Sequence, residues 1–445
     1  MLAALVLAAV TAVIASSFLF RAAQEARLAS RSYFQSVALN LAEAGIEEGL
    51  YASNTTALDT ANGWSLITGT TDDYSKTITS GFDFQQATGE IYIRVDGGTT
   101  LTPTVLAAGV IRIPQQPPMM KQIRVVAGKR QLWSNGLVVK NTLTFSGTTS
   151  IDSYDSNLGP FNSSTNRSDQ ATVATTSTAL DPIVVGSNAS IYGYVATGAA
   201  EPEVGSGGTI YGSTTPSGTL VDTSRIRHDF TANLPDVTAP TGTAISLGAI
   251  STSISLPRVG DPVGANGRYL YSASSLSAAG TEVVTVTDDV DLIVTGSISM
   301  TGNSSLVISG ISPSLNIYCP GNITLSGNGV VNSTNVPSNM TIWGTAPSSG
   351  SQTITVGGNG SYTGTIYAPN ADATLNGNGG TSGAVIAKSA VISGNGEFHY
   401  DIRLGGLPTS LDPHFRPSTW CELTATAGSG NAFARDNRTP FATLF

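Results

Sequence analysis

The chain opens on twenty residues without a charge, "MLAALVLAAVTAVIASSFLF". As a helix this run would be about 30 Å long, the thickness of a bilayer's hydrocarbon core. It predicts a membrane anchor carried by Leu2, Leu5, Val6, Val10, Val13, Ile14 and Phe18. A cleaved signal peptide is the alternative, but no basic residue precedes the run and it exceeds the usual length of such a segment. The helical pattern then continues. Residues 21–52 are rich in Ala, Leu, Glu, Gln and Arg and contain no Pro, which favours one uninterrupted helix over 1–53. Val37, Leu41, Ala44 and Glu48 would share a weakly apolar face.

After the helix the period changes from 3.6 to 2. "GEIYIRV" (Gly89 to Val95), "VLAAGVIRIP" (Val105 to Pro114) and "KQIRVVA" (Lys121 to Ala127) predict strands of a small head over 54–130, interrupted at Pro114, Pro117 and Pro118. Past residue 131 the chain repeats itself. "ITLSGNG" at 323–329, "ITVGGNG" at 354–360, "ATLNGNG" at 373–379 and "AVISGNG" at 390–396 align without gaps, with weaker copies "ISMTGNS" at 298–304 and "LTFSGTT" at 143–149. Each has an apolar pair on one strand face and ends in a glycine turn. Gly327, Gly358, Gly377 and Gly394 are the expected turn residues.

A second motif is interleaved: "IYCP" (Ile317 to Pro320), "IWGT" (Ile342 to Thr345), "IYAP" (Ile366 to Pro369) and "VIAK" (Val385 to Lys388), with "IYGY" at 191–194 and "IYGS" at 210–213 read as earlier copies. A period of roughly 18 to 25 residues is too short for a propeller blade and suits one coil of a parallel β-helix. The expected fold is therefore mainly β: a long N-terminal helix, a small antiparallel head, and a parallel β-helix over 131–410. The Pro-rich stretch 221–265 lacks the repeat and reads as an insertion or strap, and 411–445 as a cap or tail.

Composition narrows the function. Only 11% of the 445 residues are charged, 40% are apolar, and the net charge is −9. No basic stripe exists to meet phosphates, so nucleic acid is not an expected partner. The sparsely charged chain suits an exported surface. Arg21, Arg27 and Arg31 after the apolar run would by themselves retain the rest of the chain in the cytoplasm. That conflict disappears if a short basic leader precedes Met1.

With its apolar start and "ALNLAEAGIEEGL" (Ala38 to Leu50), the N-terminus resembles the type IV pilin-like proteins, in particular the PilX-type minor pilins. That resemblance implies a helix that anchors the subunit in the inner membrane and then packs in a pilus core, with a four-stranded antiparallel sheet on its C-terminal half. Other pilin-like subunits and the assembly machinery become the implied partners. The C-terminal repeat, "GTIYAPNADATLNGNG…GAVIAKSAVISGNGEFHYD", resembles a domain attached to such helices in envelope proteins.

Several clusters could carry chemistry. Asp289 and Asp291 share a strand face and are the calcium candidates, beside Asp288; Asp152 with Asp155 and Asp72 with Asp73 are further acidic pairs. Cys319 and Cys421 could form one disulfide, although Cys319 falls at a repeat position held elsewhere by Ala368 and Ala387. Glu397, His399 and Asp401 alternate with Phe398 and Tyr400 and read as the polar, edge-protecting face of a closing strand that runs to Leu404. No phosphate loop or nucleophile elbow occurs, and no cofactor is expected. The reading is a non-enzymatic envelope protein displaying its β-helix for assembly, adhesion or contact with a surface or polysaccharide. The alternative is a polysaccharide-active enzyme or a membrane-anchored carbohydrate-binding protein.

Overall fold

A computed structural model of the protein describes residues 2–444 except 56, 85–86, 101, 130, 311, 327, 329, 359, 408–413 and 429, and without the side chains of 2–6, 8, 9, 129 and 377. The chain divides into two compact units: residues 1–130 with 408–445, and residues 131–407.

In the first unit a single helix runs from Leu2 to Asn54, the continuous element expected. Its C-terminal half packs on the head through Ala38, Leu41, Ala42, Ile46 and Ala52, all buried. The buried stripe thus lies about one residue round from the face centred on Val37 and Ala44, and Ala44 is exposed. Small residues allow the close approach. A Cβ on Gly109 of the sheet would stand 2.0 Å from the carbonyl oxygen of Ala38, so no larger residue fits there. In the N-terminal half Val13, Ile14, Phe18, Leu19 and Phe20 are exposed.

Among the described residues no helix is long and apolar enough to cross a membrane. Leu2, Leu5 and Val6 fall among the undescribed side chains, and from Val10 onward the charge-free stretch ends at Arg21.

The three predicted head strands are present as Ala87–Asp96, Thr104–Arg112 and Met119–Lys129, paired antiparallel. The sheet has seven strands rather than four. Its far edge is the unexpected one: Phe415–Glu422 pairs antiparallel with Met119–Lys129, Trp420 opposite Val125. The last residues are thus an integral strand of the head, not a tail of the repeat. Beyond it, Phe441 and Leu423 are buried against Leu106 and Ala108. The whole coiled unit is inserted in sequence between two neighbouring strands of one sheet.

Among the described residues that unit is a 24-stranded parallel sheet wound on itself, most strands pairing with one two or three places on. The gapless alignment is its register. Ile298 pairs with Ile323, Ile323 with Ile354, Ile354 with Ala373, and Ala373 with Ala390. The next partner of Ala390 is Leu143, from the weak copy near the start of the unit. A second buried column shows the same order: Ile245, Tyr271, Leu292, Ile317, Ile342, Ile366, Val385, then Leu137, Val173, Val195 and Ile226. The stack therefore runs 245–401 first and 137–227 after it, although the chain runs the other way round.

Residues 228–244 form the strap that returns the chain from one end of the stack to the other, and contain no strand. On the way Pro235 accepts a hydrogen bond from the Tyr367 hydroxyl at 2.8 Å, and Asp236 accepts one from Asn370 at 2.8 Å. Leu234 and Val237 are buried. The strap reading of 221–265 thus holds only for its middle. Ile226–Arg227, Ile245–Ile250 and Ile254–Leu256 are strands of the stack. Ile191 and Ile210 also belong elsewhere than expected: Ile191 pairs with Ile210 on one side and Ile151 on the other, in a different column from Ile317 and Ile366.

Candidate functional site

The strand of the coiled unit that comes last in the chain, Glu397–Asp401, has both edges paired, with Thr381–Gly394 on one side and Ser150–Tyr154 on the other. It protects no edge, and it ends at Asp401, where a 3-10 turn over Ile402–Gly406 begins. Nor is its polar face solvated. His399 and Asp401 are buried; only Glu397 reaches solvent.

The register sets His399 directly beside Asp152. Their Nδ1 and Oδ1 atoms are 2.5 Å apart, and Arg167 Nε lies 2.7 Å from the other oxygen of Asp152. Glu397 stands 3.4 Å from His399 Nε2. Phe161 stacks on the imidazole, ring centroids 3.5 Å apart and planes at 14°. Arg167 and Phe161 come from residues 155–170, a loop held closed by Asn166, whose Nδ2 donates to the carbonyls of Asp155 and Gly159. Arg167 also lies over the ring of Tyr192, 4.4 Å away. Both imidazole nitrogens face carboxylates and an aromatic ring covers one face. The histidine is committed to holding two coils together rather than presented to a substrate.

Two residues further along, Asp401 accepts from the backbone N–H groups of Ser156 and Arg403 at 3.0 and 3.2 Å. Its second oxygen is buried and meets no donor among the described residues. Burial pushes this carboxyl above the ordinary carboxylate range, against the pull of those hydrogen bonds.

The other candidates lie apart from this cluster. Asp289 and Asp291 do converge, but on the protein's own cation: Arg268 Nε is 2.7 Å from Asp291 and Nη1 is 3.5 Å from Asp289. Ser314 and Asn316 complete the arrangement, donating to Asp289 and Asp291. The guanidinium fills the place a calcium ion would take. Among the described residues no group of three His, Cys, Asp or Glu could hold a metal. Asp73 likewise faces Arg94, and Asp72 accepts from the backbone of Thr99.

Cys319 and Cys421 are both free, which corrects the expected bridge: one sits in a coil and the other on the head strand. Cys319 is wholly buried opposite Gly344, and burial pushes its thiol up to about 11. Of the turn glycines, Gly358 and Gly394 have φ of 88° and 78°. Gly377 ends a strand opposite Gly394, and Gly327 lies outside the described residues.

Sequence reasoning singled out His399 but missed Arg167 and Phe161, and it grouped Asp152 with Asp155 rather than with His399. A signal existed. "SIDSY" (Ser150 to Tyr154) and "EFHYD" (Glu397 to Asp401) share an alternation that becomes a pairing once the first coil is known to follow the last.

Residues 246–407 match a domain of unknown function, DUF7305. The match begins where the strap ends and stops where the coiled unit stops, and it leaves out the coils 137–227. No curated protein matches the chain. Among solved structures, the competence-associated pilin ComZ from Thermus thermophilus aligns at 11% identity over 86% of this chain and 96% of that one, with a TM-score of 0.26. A score that low carries no argument about fold or function.

Proposed function

We propose that this protein is a non-enzymatic, pilin-like subunit of the cell envelope that displays a parallel β-helix. The observation that supports this most is the division of labour along one helix. Its C-terminal half is buried on an antiparallel sheet, while its N-terminal half leaves Val13, Ile14, Phe18, Leu19 and Phe20 exposed among the described residues. An exposed apolar helix of that length needs a second surface. The resemblance of Ala38 to Leu50 to minor pilins supplies the kind: the helices of other such subunits in a filament core. Before assembly, the run from Leu2 to Phe20 would hold the subunit at the inner membrane.

The coiled unit would then be a rigid, sparsely charged display surface. Its ionic groups, His399 with Asp152 and Arg268 with Asp291, are engaged with one another, which supports packing over catalysis. The experiment is to shear cells producing the full chain and probe the released filaments for it. The proposal expects the protein in that fraction, and its loss when residues 1–20 are deleted. A deleted chain found equally in sheared filaments, or a full chain never released with them, would overturn it.

A further inference from the structure

The helix carries its charge in two blocks. Arg27 and Arg31 are one turn apart, as are Glu43 and Glu47. All four are exposed, and among the described residues none of them forms an ion pair. The nearby Glu48 differs, being paired with Lys76 at 2.6 Å. The spacing between blocks is the same twice over: 43 − 27 and 47 − 31 both give 16 residues. At 3.6 residues per turn and 1.5 Å per residue, that is about 160° of rotation and about 24 Å of rise. The two blocks therefore face nearly opposite ways at different heights.

The head explains which way each faces. Ala38, Ala42 and Gly45 lie against the sheet, and Arg27 and Arg31 continue that same side toward the N-terminus. There they line a groove of about 640 Å³ beneath the head, closed by Ile113, Gln116, Pro117 and Pro118. Glu43 and Glu47 lie on the side turned away from the sheet.

We propose that the occupant of this groove is a second copy of the chain. Its helix lies parallel and is displaced by about 24 Å, so that its Glu43 and Glu47 meet Arg27 and Arg31 of the first. Charge complementarity selects this partner: the groove is basic, and the matching acidic pair has the same spacing on an otherwise exposed face of the same helix. Because donor and acceptor faces are nearly opposite, each copy can bind one neighbour on either side. Such a heterologous contact does not close on itself and propagates into a filament. This inference rests on the proposed function and fixes the register that function leaves open.

The test uses the full chain with Cys421→Ser, produced in cells as two differently tagged copies. One copy carries Arg27→Cys and the other Glu43→Cys; a second pair carries Arg31→Cys and Glu47→Cys. Oxidation is expected to join both pairs, with the offset pair Arg27→Cys and Glu47→Cys at least about tenfold weaker. In parallel, Arg27→Glu with Arg31→Glu, or Glu43→Arg with Glu47→Arg, is expected to lower filament yield about tenfold each, since like charges then oppose. Mixing the two reversed copies restores it, because each then offers the other a complementary face.

Cross-links at another offset, with no rescue, would overturn the register while leaving a filament subunit in place. Loss of binding to anionic phospholipid vesicles on arginine reversal, with the glutamate reversal assembling normally, would assign the groove to lipid headgroups and overturn the proposal. No cross-link at any of these pairs, with the full chain still present in sheared filaments, would likewise overturn the register; absence of the full chain from that fraction would overturn the filament reading itself.

Discussion

His399 and Asp152 meet at 2.5 Å across the strand pair that joins the coil last in the chain to the coil first in the chain, 247 residues apart. Removing the carboxylate by Asp152→Ala would leave Arg167 and His399 without their shared anion in a buried place. The expected loss is about 3–5 kcal/mol of unfolding free energy. Glu397→Gln, at an exposed side chain, should change it by less than about 0.5 kcal/mol. Urea unfolding of the full chain, followed by tryptophan fluorescence, distinguishes the two; equal effects would show that the pair does not clasp the junction.

Asp401 gives a pH dependence of definite sign. Its carboxyl is raised above the ordinary range by burial, so the folded state favours the protonated form. The contribution of this group is present in acid and is lost as pH rises through the raised value. Asp401→Asn mimics the neutral form at every pH. Its melting temperature relative to wild type should therefore climb between acid and neutral pH, and a difference that is flat or falls over that window would contradict the assignment.

Gly147 marks the same junction from the backbone side. It has φ of 75°, and a Cβ there would lie 2.5 Å from the carbonyl oxygen of Gly394 in the neighbouring coil. Gly147→Ala should cost about 1–3 kcal/mol. Gly128→Ala on the head, where an added Cβ meets nothing within 4 Å, serves as the comparison and should be near neutral.

The strap contains no strand, which makes it the expected site of local opening. Tyr367→Phe removes the hydrogen bond to Pro235 and should weaken its attachment by about 1 kcal/mol. Limited proteolysis should then cut within 228–244 several-fold faster than in wild type, with the coils intact. Unchanged cleavage would mean that the Asn370–Asp236 hydrogen bond and the burial of Leu234 and Val237 secure it without Tyr367.

These relationships show what the amino-acid pattern could and could not carry. The repeat predicted pairing to the residue, because alternation and glycine turns fix the side each residue faces. Ile323 and Ile354 hold the same place in two copies of the repeat and are paired neighbours. Coil order was invisible, because a repeat reads the same in any order of stacking. "LTFSGTT" looks like a weak first copy whether it begins the stack or follows Gly394. Only long-range contacts such as His399 with Asp152 decide that. Phe415 to Glu422 was hidden for another reason: Pro417 broke its strand pattern, and the tolerance of a sheet edge for proline concealed its place in the head. Asp289 and Asp291 were rightly seen to share a face, but nothing in their neighbourhood announced Arg268, twenty-odd residues before them, as their counter-ion.

The central claim is that the exposed half of the helix packs against helices of other subunits. Its most direct test is a photoactivatable cross-linker at Phe18, which is 75% exposed, in the full chain assembled in the cell envelope. The account predicts covalent products joining Phe18 to the N-terminal helix of another pilin-like subunit, identified by mass spectrometry. Products confined to uncoupled monomer would contradict it.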